Sequence, residues 1–125
     1  MREYIDRPNA ESQRPLVADT MKTLKSLYLF RDEPPVTSFL EKHSFLTPLL
    51  LQAREKIEEY FGPSSIILDV SVDPDDPEYV MLWVRIQTTL EAADAVRLLT
   101  RFDEEWCLDT PISALELMNV NLEFV

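Results

Sequence analysis

Between Ser65 and Gln87 the chain alternates between apolar and polar positions. Ile66, Leu68, Val70 and Val72 share one face, and Ile67, Asp69, Ser71 and Asp73 take the other. After Asp73-Pro74-Asp75-Asp76-Pro77-Glu78 the alternation resumes. Val80, Leu82, Val84 and Ile86 lie on one side, with Met81, Trp83, Arg85 and Gln87 opposite. Period two on both sides of a turn predicts a half-buried antiparallel hairpin. A slip of one residue would turn every apolar side chain of a strand into water, so the register follows from parity. The register that sets Asp69 opposite Trp83 also sets Ile67 opposite Arg85 and Asp73 opposite Tyr79, with Pro74 to Glu78 as the loop.

Helical spacing flanks the hairpin. Leu49, Leu50, Ala53, Ile57, Tyr60 and Phe61 form a stripe at intervals of three and four. Thr47-Pro48 is a start signal and Gly62-Pro63 a stop. Thr88, with Glu91 three positions on, predicts a capping box for a second long helix. Its expected stripe is Ala92, Ala93, Val96, Leu99, Phe102 and Trp106. Thr37 is a plausible cap for a short helix to about His43, with Pro34 and Pro35 expected in an extended turn before it. Asn119 to Val125 alternates again, which predicts a final strand. Leu16 to Phe30 fits two readings. Val17, Met21, Leu24 and Tyr28 recur at helical spacing, yet Ser26 to Phe30 would also suit a short buried strand.

These elements predict an α+β domain in which an antiparallel sheet packs on two main helices. If residues 26–30 form a strand, the order becomes the ferredoxin-like β-α-β-β-α-β. Residues 1–15, with Pro8, Pro15 and several charges, read as a flexible N-terminal arm, and residues 16–125 as a single domain.

Charge sharpens the picture. The net charge is −11 and unevenly spread. Up to Lys56, basic and acidic residues nearly balance. Beyond it only Arg85, Arg97 and Arg101 oppose fifteen carboxylates. A nucleic-acid backbone would be repelled from such a surface, so no nucleic-acid partner is expected. No apolar run approaches the length that spans a bilayer, so no membrane partner is expected either. The charged N-terminus lacks a signal-peptide core and Cys107 is the only cysteine, which together predict a cytoplasmic, reduced protein.

Motifs that carry chemistry are sparse. A single glycine, Gly62, leaves no phosphate-cradling loop. His43 is the only histidine, and near Phe39, Phe45 and Leu46 it reads as a structural helix-end residue. Asp73, Asp75, Asp76 and Glu78 lack the glycine and spacing of a calcium loop and read as a solvated turn. Cys107 has acidic rather than basic neighbours, which is not the electropositive setting of a reactive cysteine. No catalytic residue, metal site or cofactor is therefore assigned. The strongest positions are interfacial. Ile67, Met81, Trp83 and Arg85 lie on the open sheet face, and Asp103, Glu104 and Glu105 form an acidic run expected in the last turn of the second helix.

Phe39-Leu40-Glu41-Lys42-His43-Ser44-Phe45-Leu46, Tyr60-Phe61-Gly62, Asp73-Pro74, Ile86-Gln87-Thr88, Phe102-Asp103-Glu104-Glu105-Trp106 and Leu122-Glu123-Phe124 resemble segments of an uncharacterised family of small bacterial α+β proteins, often cyanobacterial. The resemblance covers about residues 36 to 125. It supports the domain limits and implies no activity and no catalytic residue. The expected function is that of a non-catalytic interaction protein, either a homodimer or the binder of a protein partner. The alternatives are a small-molecule or divalent-metal-binding protein, with an enzyme built on His43 and carboxylates as its extreme, and an acidic decoy or antitoxin-like partner of a basic protein.

Overall fold

The computed structural model describes residues 20–125; the expected arm and the first residues of the Leu16–Phe30 segment lie outside this range. Residues 20–27 are helical (α1) and lead into strand β1, Leu29–Phe30. Helices α2 (Glu33–Lys42) and α3 (Leu46–Phe61) follow, then the hairpin of β2 (Ile66–Asp73) and β3 (Asp76–Thr88). Helix α4 (Ala92–Asp109), the short α5 (Ile112–Leu115) and strand β4 (Met118–Phe124) complete the chain. Each reading of the Leu16–Phe30 segment holds for part of its described residues: Ser26 and Leu27 are helical, and only Leu29–Phe30 of the expected 26–30 strand is formed. The helical spacing ends at Leu27, and the apolar run that follows supplies a two-residue strand.

The four strands lie in the order β1-β2-β3-β4. The sheet is mixed rather than antiparallel throughout. The hairpin is antiparallel, and β1 on β2 and β4 on β3 are parallel. The order differs from the expected β-α-β-β-α-β in that a helix precedes β1 and each crossover holds two helices, and each unit pairs its two strands directly, so neither is split in the ferredoxin-like manner. Parallel neighbours need a crossover long enough to traverse the sheet. Helices α2 and α3 make one crossover, and α4 with α5 makes the other.

The helices cover one face. Helix α2 packs on β2, α4 on β4, and α3 against α4. The core between them contains Leu68, Leu82, Val84 and Ile86 from the hairpin, Leu50, Ala53 and Ile57 from α3, and Phe102 and Trp106 from α4. Phe102 stacks on Trp106 at 5.7 Å and meets Tyr60 edge-on at 6.3 Å. Tyr28 is buried and its hydroxyl donates to the Leu50 carbonyl at 2.6 Å, fastening the end of α1 to α3.

Local starts differ from the sequence expectation for identifiable reasons. Helix α2 begins four residues before Thr37, and Pro34 and Pro35 lie in its first turn. The N–H groups missing there have no intrahelical partner in any case. Helix α3 begins at Leu46, so Thr47 is inside the helix rather than its cap. The capping box at Thr88 does not form. Thr88 closes β3, its hydroxyl accepts from the Leu90 N–H at 3.1 Å, and α4 starts after Glu91. The α4 stripe is accordingly rotated: Ala95 replaces the exposed Ala92, Ala93 and Val96, while Leu99, Phe102 and Trp106 face inward as expected. Gly62 ends α3 at φ 72°, ψ −170°, a backbone region open essentially to glycine.

The hairpin register matches the parity argument from Ile66↔Ile86 to Val72↔Val80, including Asp69↔Trp83 and Ile67↔Arg85. It then shifts. Asp73 pairs with Asp76 instead of Tyr79, so the loop shrinks to Pro74 and Asp75. The Asp75 N–H donates to Asp73 Oδ1 at 2.9 Å, a local aspartate turn that closes the tighter loop.

Candidate functional site

Three surfaces carry the residues singled out by the sequence, and the structure treats them differently. The first is the sheet face without helices. Ile67 on this face is buried, while Met81, Trp83, Arg85 and Gln87 are half-buried. The Trp83 indole N–H donates to Ser71 Oγ across the hairpin at 2.8 Å. The Arg85 guanidinium lies 5.0 Å from the Trp83 ring centre and bonds Asp69 Oδ2 at 3.3 Å. Arg31, just past β1, is 3.8 Å from the same carboxylate oxygen and bonds both carboxylate oxygens of Glu123 on β4, at 2.7 and 2.8 Å. Gln87 donates to Glu123 at 2.9 Å. Hydrogen bonds from Gln87 and Arg31 hold the Glu123 carboxyl below the usual carboxylate range. Ser71, Trp83, Arg85, Asp69, Arg31, Glu123 and Gln87 thus form one connected polar lattice. It satisfies the Trp83 N–H within the face itself.

Arg31, Gln87 and Glu123 belong to this lattice although they were not singled out from the sequence. Their signal was parity. Gln87 and Glu123 share the outer register of β3 and β4, and Arg31 continues that of Leu29. Reading it required β1 to be recognised as a strand, and two residues are too few to show a period.

The second surface is the acidic run on α4. The helix continues to Asp109, so the run lies before its last turn rather than within it. Successive helical residues diverge by about 100°, and the three carboxylates point apart. Glu105 faces α3, where Tyr60 and Lys56 bond it, the latter at 3.0 Å, and these contacts lower its pKa. Glu104 is exposed. Asp103 is half-buried toward β4, and burial raises its pKa. Lying before the last turn, these anions escape most of the helix-dipole penalty expected from the sequence, Lys56 pairs with Glu105, and the three do not make one continuous patch.

The third surface is a groove where the hairpin extends past the helices. It holds about 710 Å³ and is lined by Phe39 and His43 of the α2 end, by Val70, Val72 and Val80, and by Leu117. Val72 is 54% exposed although its parity assigns it to the core face. The reason is length: the β2–β3 ribbon outruns the helix layer, so its last inward positions have no cover. His43 sits against Phe39 at 4.7 Å and Phe45 at 6.4 Å, beside Lys42, with Glu78 across the groove.

The backbone adds a second property to this groove. The Arg31 N–H donates to the Leu68 carbonyl, which fixes even-numbered residues of β2 as those directed toward β1. Strand β1 ends at Phe30, opposite Leu68. Among the described residues no backbone partner meets Val70 or Val72 on that edge. Their side chains line the groove and their peptide groups border it.

Among the described residues no group of three or more His, Cys, Asp or Glu side chains is arranged to hold a metal ion. No helix among them is long and apolar enough to cross a membrane. Cys107 is an exposed free thiol on α4. Comparison with family models, with curated proteins and with solved structures found no match.

Proposed function

We propose that this chain is a non-catalytic protein-binding domain that receives an extended, apolar segment of a partner protein in the groove between α2 and the overhanging hairpin. One observation carries the reading: at Val70 and Val72 an apolar sheet surface coincides with a strand edge that is unpaired among the described residues. An extended segment adding to β2 beyond Phe30 would hydrogen-bond those two residues and drop alternate side chains among Phe39, Val72 and Val80. Main-chain bonds would supply affinity, and the groove would select the side chains. Lys42 and His43 on one wall and Glu78 on the other favour a segment whose polar groups include both an acceptor and a donor. The Trp83 face is a weaker candidate than its sequence suggests, since its polar groups already bond one another.

Selection of a random peptide library on the immobilised protein tests this. Enriched peptides are expected to share alternating apolar positions and to lose binding to a Val72→Asp variant. Peptides that bind wild type and Val72→Asp equally would refute the groove as the site, and an absence of enrichment would refute the class of ligand.

A further inference from the structure

We infer that two copies of this chain pair through β4, in an antiparallel register centred on Asn121, to form one eight-stranded sheet. The inference concerns the opposite edge of the sheet from the groove and stands independently of the proposed function.

Hydrogen-bond phase comes first. The Leu82 N–H donates to the Leu117 carbonyl, and the Val125 N–H donates to the Thr88 carbonyl, at 2.8 and 3.1 Å. Odd-numbered residues of β4 therefore direct their peptide groups at β3. Met118, Val120, Leu122 and Phe124 direct theirs away from the sheet. Among the described residues no backbone group meets them there. The Leu122 N–H instead donates to the side-chain oxygen of the adjacent Asn121 at 2.8 Å.

The strand lacks the devices that keep edges apart. Edges are usually shortened, bulged, or guarded by lysine or proline. Strand β4 runs seven residues with a regular register to β3, and its sequence Met-Asn-Val-Asn-Leu-Glu-Phe contains neither residue. Its only charge, Glu123, is matched by Arg31. In a chain of net charge −11, this edge is locally near neutral and can meet its own copy.

Self-complementarity then selects the partner and the register. A two-fold axis pairs residues whose numbers are placed symmetrically about one position, and Asn121 is the middle of Met118–Phe124. Centring there pairs the whole strand. Val120 lies opposite Leu122 of the second copy and Met118 opposite Phe124, all four with outward peptide groups. On the open face Asn119 lies opposite Glu123, and Asn121 opposite itself, so no two like charges meet. On the helix face the pairing would place the exposed Phe124 of each copy against Met118 of the other, at the hollow lined by Asp103, Cys107, Leu115 and Met118.

Sedimentation equilibrium on the full chain gives the first arm of the test. A species of twice 14.6 kDa is expected, dissociating in Asn121→Asp, which faces two carboxylates across the axis while altering only an exposed side chain. A wild-type monomer, or a dimer unchanged in Asn121→Asp, would overturn the inference. The register is tested by cysteine placement in a Cys107→Ser background. Facing residues of a non-hydrogen-bonded antiparallel pair lie about 4.5 Å apart at Cα, within disulfide reach. Asn121→Cys should oxidise to a covalent dimer much faster than the equally exposed Asn119→Cys, which faces Glu123. Equal rates would overturn the register.

Discussion

Arg31 and Glu123 tie the two edges of the sheet together. Arg31 follows the first strand and Glu123 lies on the last, 92 residues later, yet a single guanidinium nitrogen bonds both carboxylate oxygens. The contact joins the Asp69–Arg85 pair through Arg31, which is also 3.8 Å from Asp69, so that the open face links the first strand to the last. It also explains why Trp83, the aromatic that most suggests an interface, is held in place by its own neighbours.

That tie should show in acid unfolding. Glu123 has a lowered pKa in the folded chain, so its stabilising contribution is present above the unfolded carboxylate pKa and lost as pH falls through the folded value. Glu123→Gln should unfold at lower temperature than wild type at pH 7, and the two should converge as pH falls below the ordinary carboxylate range. A difference that persists undiminished at acid pH would assign the effect to packing.

Asp103 has the opposite sign. Burial raises its pKa, so the charged form is the less favourable one in the folded state; the penalty sets in as pH rises past the unfolded carboxylate pKa and is complete above the folded one. Asp103→Asn should raise the melting temperature at neutral pH and leave it unchanged where Asp103 is already protonated. Thermal melts across pH 3 to 8, a range about the ordinary carboxylate pKa, check both limits.

Gly62→Ala should destabilise although space is not the obstacle. Apart from its two chain neighbours, no described residue has an atom within 4 Å of where the new Cβ would be, so the expected effect is backbone strain at φ 72°. A loss of about 1–3 kcal/mol is expected from chemical denaturation. A neutral variant would mean that the end of α3 relaxes freely.

The α4 stripe makes a paired prediction. Phe102→Ala should lose about 3–5 kcal/mol by opening a cavity under Tyr60 and Trp106. Val96→Ala, at a position 52% exposed, should change stability by less than about 0.5 kcal/mol. Comparable losses at both positions would restore the stripe expected from spacing alone.

What was legible in the chain follows its periodicity. The hairpin and its register were readable because eight apolar residues alternate on one parity, four on each side of the turn, and a slip would turn the buried ones among them into water. Helices α3 and α4 were readable from their stripes, but their starts were not. Thr47 and Thr88 resemble caps, and neither side chain bonds a first-turn N–H. Strand β1 is set by its neighbour β2 rather than by its own two residues, so the parallel outer pairs and the Arg31 lattice were beyond local pattern. The groove was hidden for a related reason. Val70, Val72 and Val80 have the parity of core residues, and only the relative lengths of hairpin and helix layer reveal that part of this row is left in the open.

The most direct test of the account is amide hydrogen exchange at Val70 and Val72 with and without a library-selected peptide. Both N–H groups are directed at the stretch of the β2 edge that has no backbone partner among the described residues, so the account predicts fast exchange in the free protein and strong slowing at these two residues when peptide is bound. Peptide binding that leaves Val70 and Val72 unchanged, and instead slows exchange around Met81 and Trp83, would contradict it.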